Sequence, residues 1–295
     1  MSLSENPELQ PLLFVLFISF YMVTVLGNLL IILAVSSDFH LHTPMYLFLS
    51  NLSWSDICLI STTVPRMIWD IRNQSRVISY VGCLTQMSMF IIFACMDSML
   101  LTVMAYDRFV AICHPLHYKI IMNPNICAFL ILASVFASLV DSQVHNLIVL
   151  QFTYFSDTEI SNFFCDPSQI LNLNCSEMFT KNIVIHFIGL FFGLFSTSGI
   201  IFSYYKIISS IITIPSIEGK YKAFSTCGSH LSVVCLFYGT ATVVYIGSTA
   251  LNSPESCAVA SLMYTVVTPM LNPFIYSLRN RDIKSALWKL QRRAM

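Results

Sequence analysis

Two carboxylates, Asp56 and Asp97, lie inside stretches of sequence that are otherwise almost wholly apolar, and that setting limits the chemistry open to them. In hydrocarbon a charge costs several kcal/mol unless it is paired or hydrated, so each marks a candidate functional site. A carboxylate on each of two neighbouring helices can hold a cation such as sodium, or the two can share a proton. The same pair is the donor set of an intramembrane aspartyl protease, but the Gly-containing motif expected around such an aspartate is absent at both positions. No Gly-x-Ser-x-Gly occurs, which removes the usual serine hydrolase as well.

Three further polar groupings interrupt the apolar runs. Asp107-Arg108 closes one of them, and by itself an Asp-Arg pair is an interfacial anchor. Asn272-Pro273 reads as a kink whose freed backbone groups are satisfied by neighbours. Asp141 and His145 stand one helical turn apart, a spacing at which they can satisfy each other.

All these groups need helices to place them. Of the 295 residues, 56% are hydrophobic and only 10% charged, against the quarter or so of charged residues in soluble domains. Fifteen Lys and Arg balance fifteen Asp and Glu, so no net charge argues for nucleic acid or an acidic partner. Seven apolar segments are long enough to cross a bilayer: 12–36, 45–69, 81–113, 126–150, 181–213, 223–248 and 257–278. The first has no basic start and is too long for a signal peptide. Between the fourth and fifth, residues 151–180 form a long polar stretch rich in Asn, Asp and Cys, expected to be a structured loop outside the membrane. No internal repeat of the transporter kind is present.

Sorting the basic residues by side sets the orientation. With the amino terminus outside, eleven fall on the inner side: Arg108, Lys119, Lys206, Lys220, Lys222, Arg279, Arg281, Lys284, Lys289, Arg292 and Arg293. Four, Arg66, Arg72, Arg76 and Lys181, fall on the outer side. Beyond the seventh span, residues 280–293 place Ile283, Ala286, Leu287 and Leu290 at helical spacing opposite a basic face, which predicts a helix on the anionic inner leaflet. From Cys83 to Asp107 is about 36 Å of helix at 1.5 Å per residue, so Asp107-Arg108 reaches the inner face if Cys83 is at the outer one.

Of the ten cysteines, most are expected to be small buried apolar residues. Cys83, Cys165 and Cys175 fall on the outer side, where disulfides form; a Cys83–Cys165 bond would pin the long loop across the mouth of the bundle. No set of paired Cys and His completes a zinc site. Asn73 and Asn174 begin glycosylation triplets on that same side, whereas the triplet at Asn51 lies within the second span.

The string Met104-Ala-Tyr-Asp-Arg-Phe-Val-Ala-Ile-Cys-His-Pro-Leu-His-Tyr118 resembles the olfactory receptors, a branch of the rhodopsin-like G-protein-coupled receptors. Four more strings agree: Gly27-Asn28, Leu41-His-Thr-Pro-Met-Tyr46, Lys222-Ala-Phe-Ser-Thr-Cys-Gly-Ser-His230, and Pro269-Met-Leu-Asn-Pro-Phe-Ile-Tyr-Ser-Leu-Arg-Asn280. The likeness runs from about Glu5 to the carboxyl end.

That resemblance implies an all-α membrane protein: one seven-transmembrane helix bundle over residues 1–295, with a short amphipathic C-terminal helix. It implies a plasma-membrane receptor, not an enzyme, that binds a small volatile odorant and activates a heterotrimeric G protein of the stimulatory, olfactory type. The competing reading is a cation-coupled transporter or channel using Asp56 and Asp97. By position, Asp107 and Arg108 would serve G-protein coupling, Tyr204 and Tyr276 would swing toward Arg108, and Asn272-Pro273 would be the hinge. Asp56 and Asp97 look like the family's sodium-site carboxylates, and no cofactor beyond that ion is implied. Tyr238 takes the place where ligand is sensed on the sixth helix. The cavity would be lined by Phe90, Ile91, Ala94 and Cys95, by Ile188 and Phe192, by Ala241, Thr242 and Tyr245, and by Thr265.

The chain also departs from the family. A further outer-loop cysteine usually precedes the one matching Cys165 by about ten residues; here that neighbourhood reads Tyr154-Phe155. Cys83–Cys165 is thus the expected disulfide and Cys175 is expected to be free. The amino-terminal tail is shorter than usual and lacks a glycosylation triplet, Asn6 being followed by Pro7 and Glu8, so poor surface delivery is expected.

Overall fold

Residues 9–73, 77–152, 160–161, 178–250 and 262–294 are described by the computed structural model. They form α1 (Gln10–Ser37), α2 (Pro44–Asn73), α3 (Tyr80–Cys113), α4 (Pro124–Phe152), α5 (Met178–Thr213), α6 (Ile217–Ala250), α7 (Thr268–Arg279) and α8 (Arg281–Ala294). A π-helical stretch, Met263–Val267, leads into α7. Residues 257–261 of the expected seventh span lie outside the described set.

The segment ends follow from local chemistry. Ser79 caps α3, its hydroxyl accepting from the Gly82 amide at 3.2 Å. α6 starts six residues before the expected apolar boundary, because Ser216 accepts from the Gly219 amide and Glu218 sits in the positive first turn. Helical structure therefore continues past the hydrocarbon edge into sequence that apolar counting treats as a connector. The connector after α3 also holds helical turns, Pro115–His117 and Tyr118–Ile121.

Four helices, α1, α3, Pro124–Gln151 of α4 and Phe187–Thr213 of α5, are apolar enough to span a bilayer on composition alone among the described residues. α2, α6 and α7 are more polar, and their polar side chains turn inward: Ser55, Asp56 and Thr63 from α2, His230 from α6, Thr265, Thr268 and Asn272 from α7 are all buried. On α4 the division is clean. Ser134, Ser138 and Ser142, four residues apart, are buried on the bundle side, while Phe129, Leu132 and Phe136 are about two-thirds exposed on the other. Ser142 donates to the Ser88 carbonyl of α3 at 3.1 Å.

α3 runs through the middle, packing against α2, α4, α5 and α6. α1 instead packs on α2 and α7. Pro273 has no N–H to give the Pro269 carbonyl, and the Asn28 amide supplies one from α1 at 3.3 Å. The approach depends on Gly27, where an added Cβ would lie 3.1 Å from Pro273 Cβ. Before the start of α3, Val77–Ile78 pairs antiparallel with Ile160–Ser161, a short ladder the sequence reading did not include. Cys83 is disulfide-bonded. Its partner is outside the described residues, as are Cys165, Cys175 and Asn174. Asn73 ends α2 and is exposed.

The apolar face of α8 is used differently from expectation. Ile283 and Ala286 are buried in the main core and Leu287 and Leu290 pack against it, so this stripe faces the bundle and not only the leaflet. Lys289 reaches back to Asp38 at 2.7 Å, and that bond, with the His40 amide, holds the Asp38 carboxyl below its ordinary pKa.

Gly199 of α5 should be the least replaceable glycine. An added Cβ would stand 2.7 Å from Thr102 Cγ2, and Thr102 cannot turn away freely because its hydroxyl bonds the Ser98 and Ser196 carbonyls. Gly199→Ala should destabilise the purified protein by about 1–3 kcal/mol, read as a lowered thermal midpoint. Gly193→Ala, with nothing within 4 Å of the new Cβ, should leave the midpoint unchanged or slightly raised. Equal behaviour of the two variants would contradict this packing.

Candidate functional site

The interior polar groups form three levels along α3. At the middle level Ser196 of α5 accepts a hydrogen bond from Ser98 of α3 at 2.7 Å and one from Tyr238 of α6 at 2.9 Å. Ser98 and Tyr238 are themselves 3.0 Å apart. Ser196 passes its own proton to the Gly193 carbonyl at 3.0 Å. Three helices are thereby joined through hydroxyls alone, each neutral bond contributing about 0.5–1.5 kcal/mol.

Around Tyr238 the expected cavity residues take several positions. Phe90 stacks edge-on against Tyr264, and Tyr264 lies against Phe237. Thr265 and Cys95 are buried; Cys95 neighbours Ser138 and Asp141 of α4. Ile91 packs with the cluster of Ile78, Cys83, Met87 and Val149. Ala94, Ile188, Phe192 and Ala241 are half-buried and Thr242 is exposed. The side chain of Tyr245 is outside the described set. His145 Nδ1 stands 3.2 Å from the Asp141 carboxylate, but its hydrogen bond is with the Asp141 backbone carbonyl at 2.9 Å, and Asp141 Oδ1 is buried without a hydrogen-bond partner, so the expected mutual satisfaction of the two side chains is not what the structure shows.

Toward α2 and α7 lie the carboxylates. Both oxygens of Asp56 accept from the Asn272 amide nitrogen, each at 3.0 Å. Asp97 is buried beside them, within electrostatic reach of Asp56, and its Oδ1 has no hydrogen-bond partner. Asn272 Oδ1 and Asn28 Oδ1 are likewise buried and unpartnered. This surplus of oxygen acceptors over donors suits a hard cation or an added proton. No cluster of three or more His, Cys, Asp or Glu suited to a metal ion occurs among the described residues.

Toward the Cys113 end of α3 the Arg108 guanidinium is held by Asp107 at 2.8 Å, and Asp107 takes a second bond from Tyr118 at 2.7 Å. Burial and the Asp107 carboxylate raise the Tyr118 pKa above its ordinary value, so it remains a donor. One turn up, His230 of α6 bridges α5 and α3. Its Nε2 meets the Leu101 carbonyl at 3.0 Å, which only an N–H can do; Nδ1 of the neutral ring then accepts from Tyr204 at 2.7 Å. Between these groups opens a cavity of about 630 Å³, bordered by Tyr46, Met104, Arg108, Tyr221, Ser225 and Tyr276 among others.

A central buried helix, joined by hydroxyls to two neighbours and carrying a paired arginine toward its Cys113 end, thus runs through a bundle of long, largely apolar helices. A family model for olfactory receptors matches residues 17–293. Olfactory receptor 7E24 of Homo sapiens is 70% identical over 293 residues, covering 99% of this chain and 86% of that protein. Olfactory receptor 7E178 of Mus musculus is 65% identical over 295 residues, 100% of this chain and 89% of that one. Olfactory receptor 7D4 of Homo sapiens is 59% identical over 294 residues, 100% and 94%. The chain belongs to the olfactory receptor family, within the class A G-protein-coupled receptors, and is a multi-pass membrane receptor rather than an enzyme. Family membership replaces the transporter reading.

Several participants escaped the sequence reading. Asn272 was expected as half of a hinge, and it is also the hydrogen-bond partner of Asp56. His230 stood in a quoted string without a role. Ser196 gave no signal, since a serine among α5 apolar residues is ordinary. The Asp56–Asn272 bond should be exchangeable: Asn272→Leu, by leaving a buried carboxylate unpaired, should cost about 3–5 kcal/mol, measured as loss of folded receptor. The double variant Asp56→Asn with Asn272→Asp should restore much of it. A double variant no better than Asn272→Leu would mean that the two side chains do not act through each other.

Proposed function

We propose that this receptor has its amino terminus outside the cell, takes small, largely apolar volatiles into the bundle above Tyr238, and activates a stimulatory-type G protein at its inner face. The carrying observation is the alignment of three polar links on α3, from the Ser98–Ser196–Tyr238 hydroxyls through His230 to the Asp107–Arg108 pair. The excess of basic residues on one side supports the orientation. The apolar and hydroxyl character of the residues around Tyr238 supports a ligand with little charge.

The mechanism is a shift between two arrangements. Ligand that binds better when Tyr238 has left Ser98 and Ser196 favours movement of α6, and each tenfold preference is worth about 1.4 kcal/mol. His230 rides on α6, so the same movement breaks the Tyr204–His230–Leu101 chain. Tyr204 and Arg108 are then available to each other and to the G protein. Asp56 and Asp97 would hold a sodium ion, which supplies positive charge to the buried carboxylates. Asn272 and the unpartnered Asp97 oxygen give that ion its protein side, tying α2, α3 and α7 in the resting arrangement.

Nucleotide exchange on a stimulatory G protein, measured with cells screened against a volatile library and a surface-expression control, tests this reading. An agonist response lost in Arg108→Ala at matched surface level is expected; an equal response from the variant would overturn the mechanism. Raised sodium should lower agonist potency. Asp56→Asn and Asp97→Asn should each remove that effect, with little further change when combined. Additive losses would show that the two carboxylates work separately.

A further inference from the structure

We propose that Asp141 of α4 is a ligand-contact residue, its carboxyl receiving the O–H or N–H donor of a small alcohol or amine whose apolar body lies in the bundle. The inference rests on the reading that ligand enters the bundle above Tyr238, and it names the polar group such a ligand carries. Asp141 is 6% exposed, and its Oδ1 has no hydrogen-bond partner. The donors near it are engaged elsewhere. A backbone carbonyl can only accept, so the bond of His145 Nδ1 with the Asp141 carbonyl at 2.9 Å uses the Nδ1 proton. Ser138 donates to the Ser134 carbonyl at 2.7 Å, and Ser142 to the Ser88 carbonyl at 3.1 Å. A buried acceptor without a donor lowers stability, and a carboxyl within a membrane-spanning helix is costly in itself. A ligand donor would give that oxygen the partner that the bundle does not.

The position suits such a contact. Cys95 of α3 stands against Ser138 and Asp141, and it precedes Ser98 by three residues, about 4.5 Å of helix. Ser98 is part of the link with Ser196 and Tyr238. Asp141 therefore meets α3 about one turn from that link, on the side where the ligand is placed. Ile91 and Ala94 on the same stretch of α3, and Phe192 one turn from Ser196 on α5, are half-buried and offer apolar surface. A carboxyl oxygen beside apolar surface selects donors over acceptors. A hydroxyl or amine finds a partner there, whereas an ether of equal size sets one acceptor against another.

The probes are straight-chain alkanols, the matching alkylamines and the isomeric methyl ethers, applied to cells carrying the full-length receptor at matched surface level. The purified receptor is also melted without ligand. Alkanols and amines should activate, with the isomeric ethers at least about tenfold less potent. Asp141→Leu should bring the alkanols and amines down to the ethers, and its thermal midpoint should be unchanged or raised, since an unsatisfied buried oxygen has been removed. Asp141→Asn keeps an acceptor oxygen without the charge, so it should hold the alkanol response within about threefold and lose more of the amine response. A lowered midpoint in Asp141→Leu would mark the residue as structural and overturn the proposal. So would ethers as potent as alkanols on the unaltered chain, or a response to other volatiles and to none of these. Silence toward every volatile, with the midpoint behaving as stated, would instead overturn the reading of the bundle as the ligand site.

Discussion

A polar atom in hydrocarbon has no water to bond, and an unsatisfied one costs several kcal/mol. An inward-facing hydroxyl, amide or imidazole is therefore driven to find a partner on another helix or on its own backbone, although the Tyr276 hydroxyl and the amide oxygens of Asn28 and Asn272 have none among the described residues. α3 is where most of those obligations meet. Its Ser98 answers Ser196 and Tyr238, its Leu101 carbonyl answers His230, and its Asp107 answers Arg108 and Tyr118. Even the Pro273 kink obeys the rule, since Asn28 donates to the carbonyl that proline cannot serve.

The same constraint makes the resting arrangement adjustable. Neutral hydrogen bonds contribute about 0.5–1.5 kcal/mol each, so the links on α3 are individually within the binding energy of a small ligand. The structure does leave buried acceptors without hydrogen-bond donors, among them oxygens of Asp97, Asp141, Asn272 and Asn28.

Much of the fold was legible because lipid demands long apolar runs. The first five spans match the expected limits within a few residues at both ends. Where a helix leaves the hydrocarbon, as α6 does before residue 223, caps and not hydropathy set its start, and the edge was misplaced. Asp56, Asp97, Asp107 and Arg108 announced themselves as charges in apolar surroundings. Ser196 and His230 did not, because their importance comes from what α3 presents to them across the bundle. The α8 stripe was recognised as amphipathic, but periodicity cannot say whether its apolar side meets lipid or protein; Ile283 and Ala286 chose the core.

The central claim is that the Ser98–Ser196–Tyr238 hydroxyls hold the inner ends of α3 and α6 together. Nitroxide labels at Ile120, just beyond α3, and Ile217, at the start of α6, both strongly exposed, allow electron–electron resonance to measure that separation in full-length receptor in nanodiscs. In Ser196→Ala and in Tyr238→Phe, without any ligand, the distance distribution should shift to longer values than in the unaltered chain. Distributions that stay superimposed on the unaltered one in both variants would contradict the account.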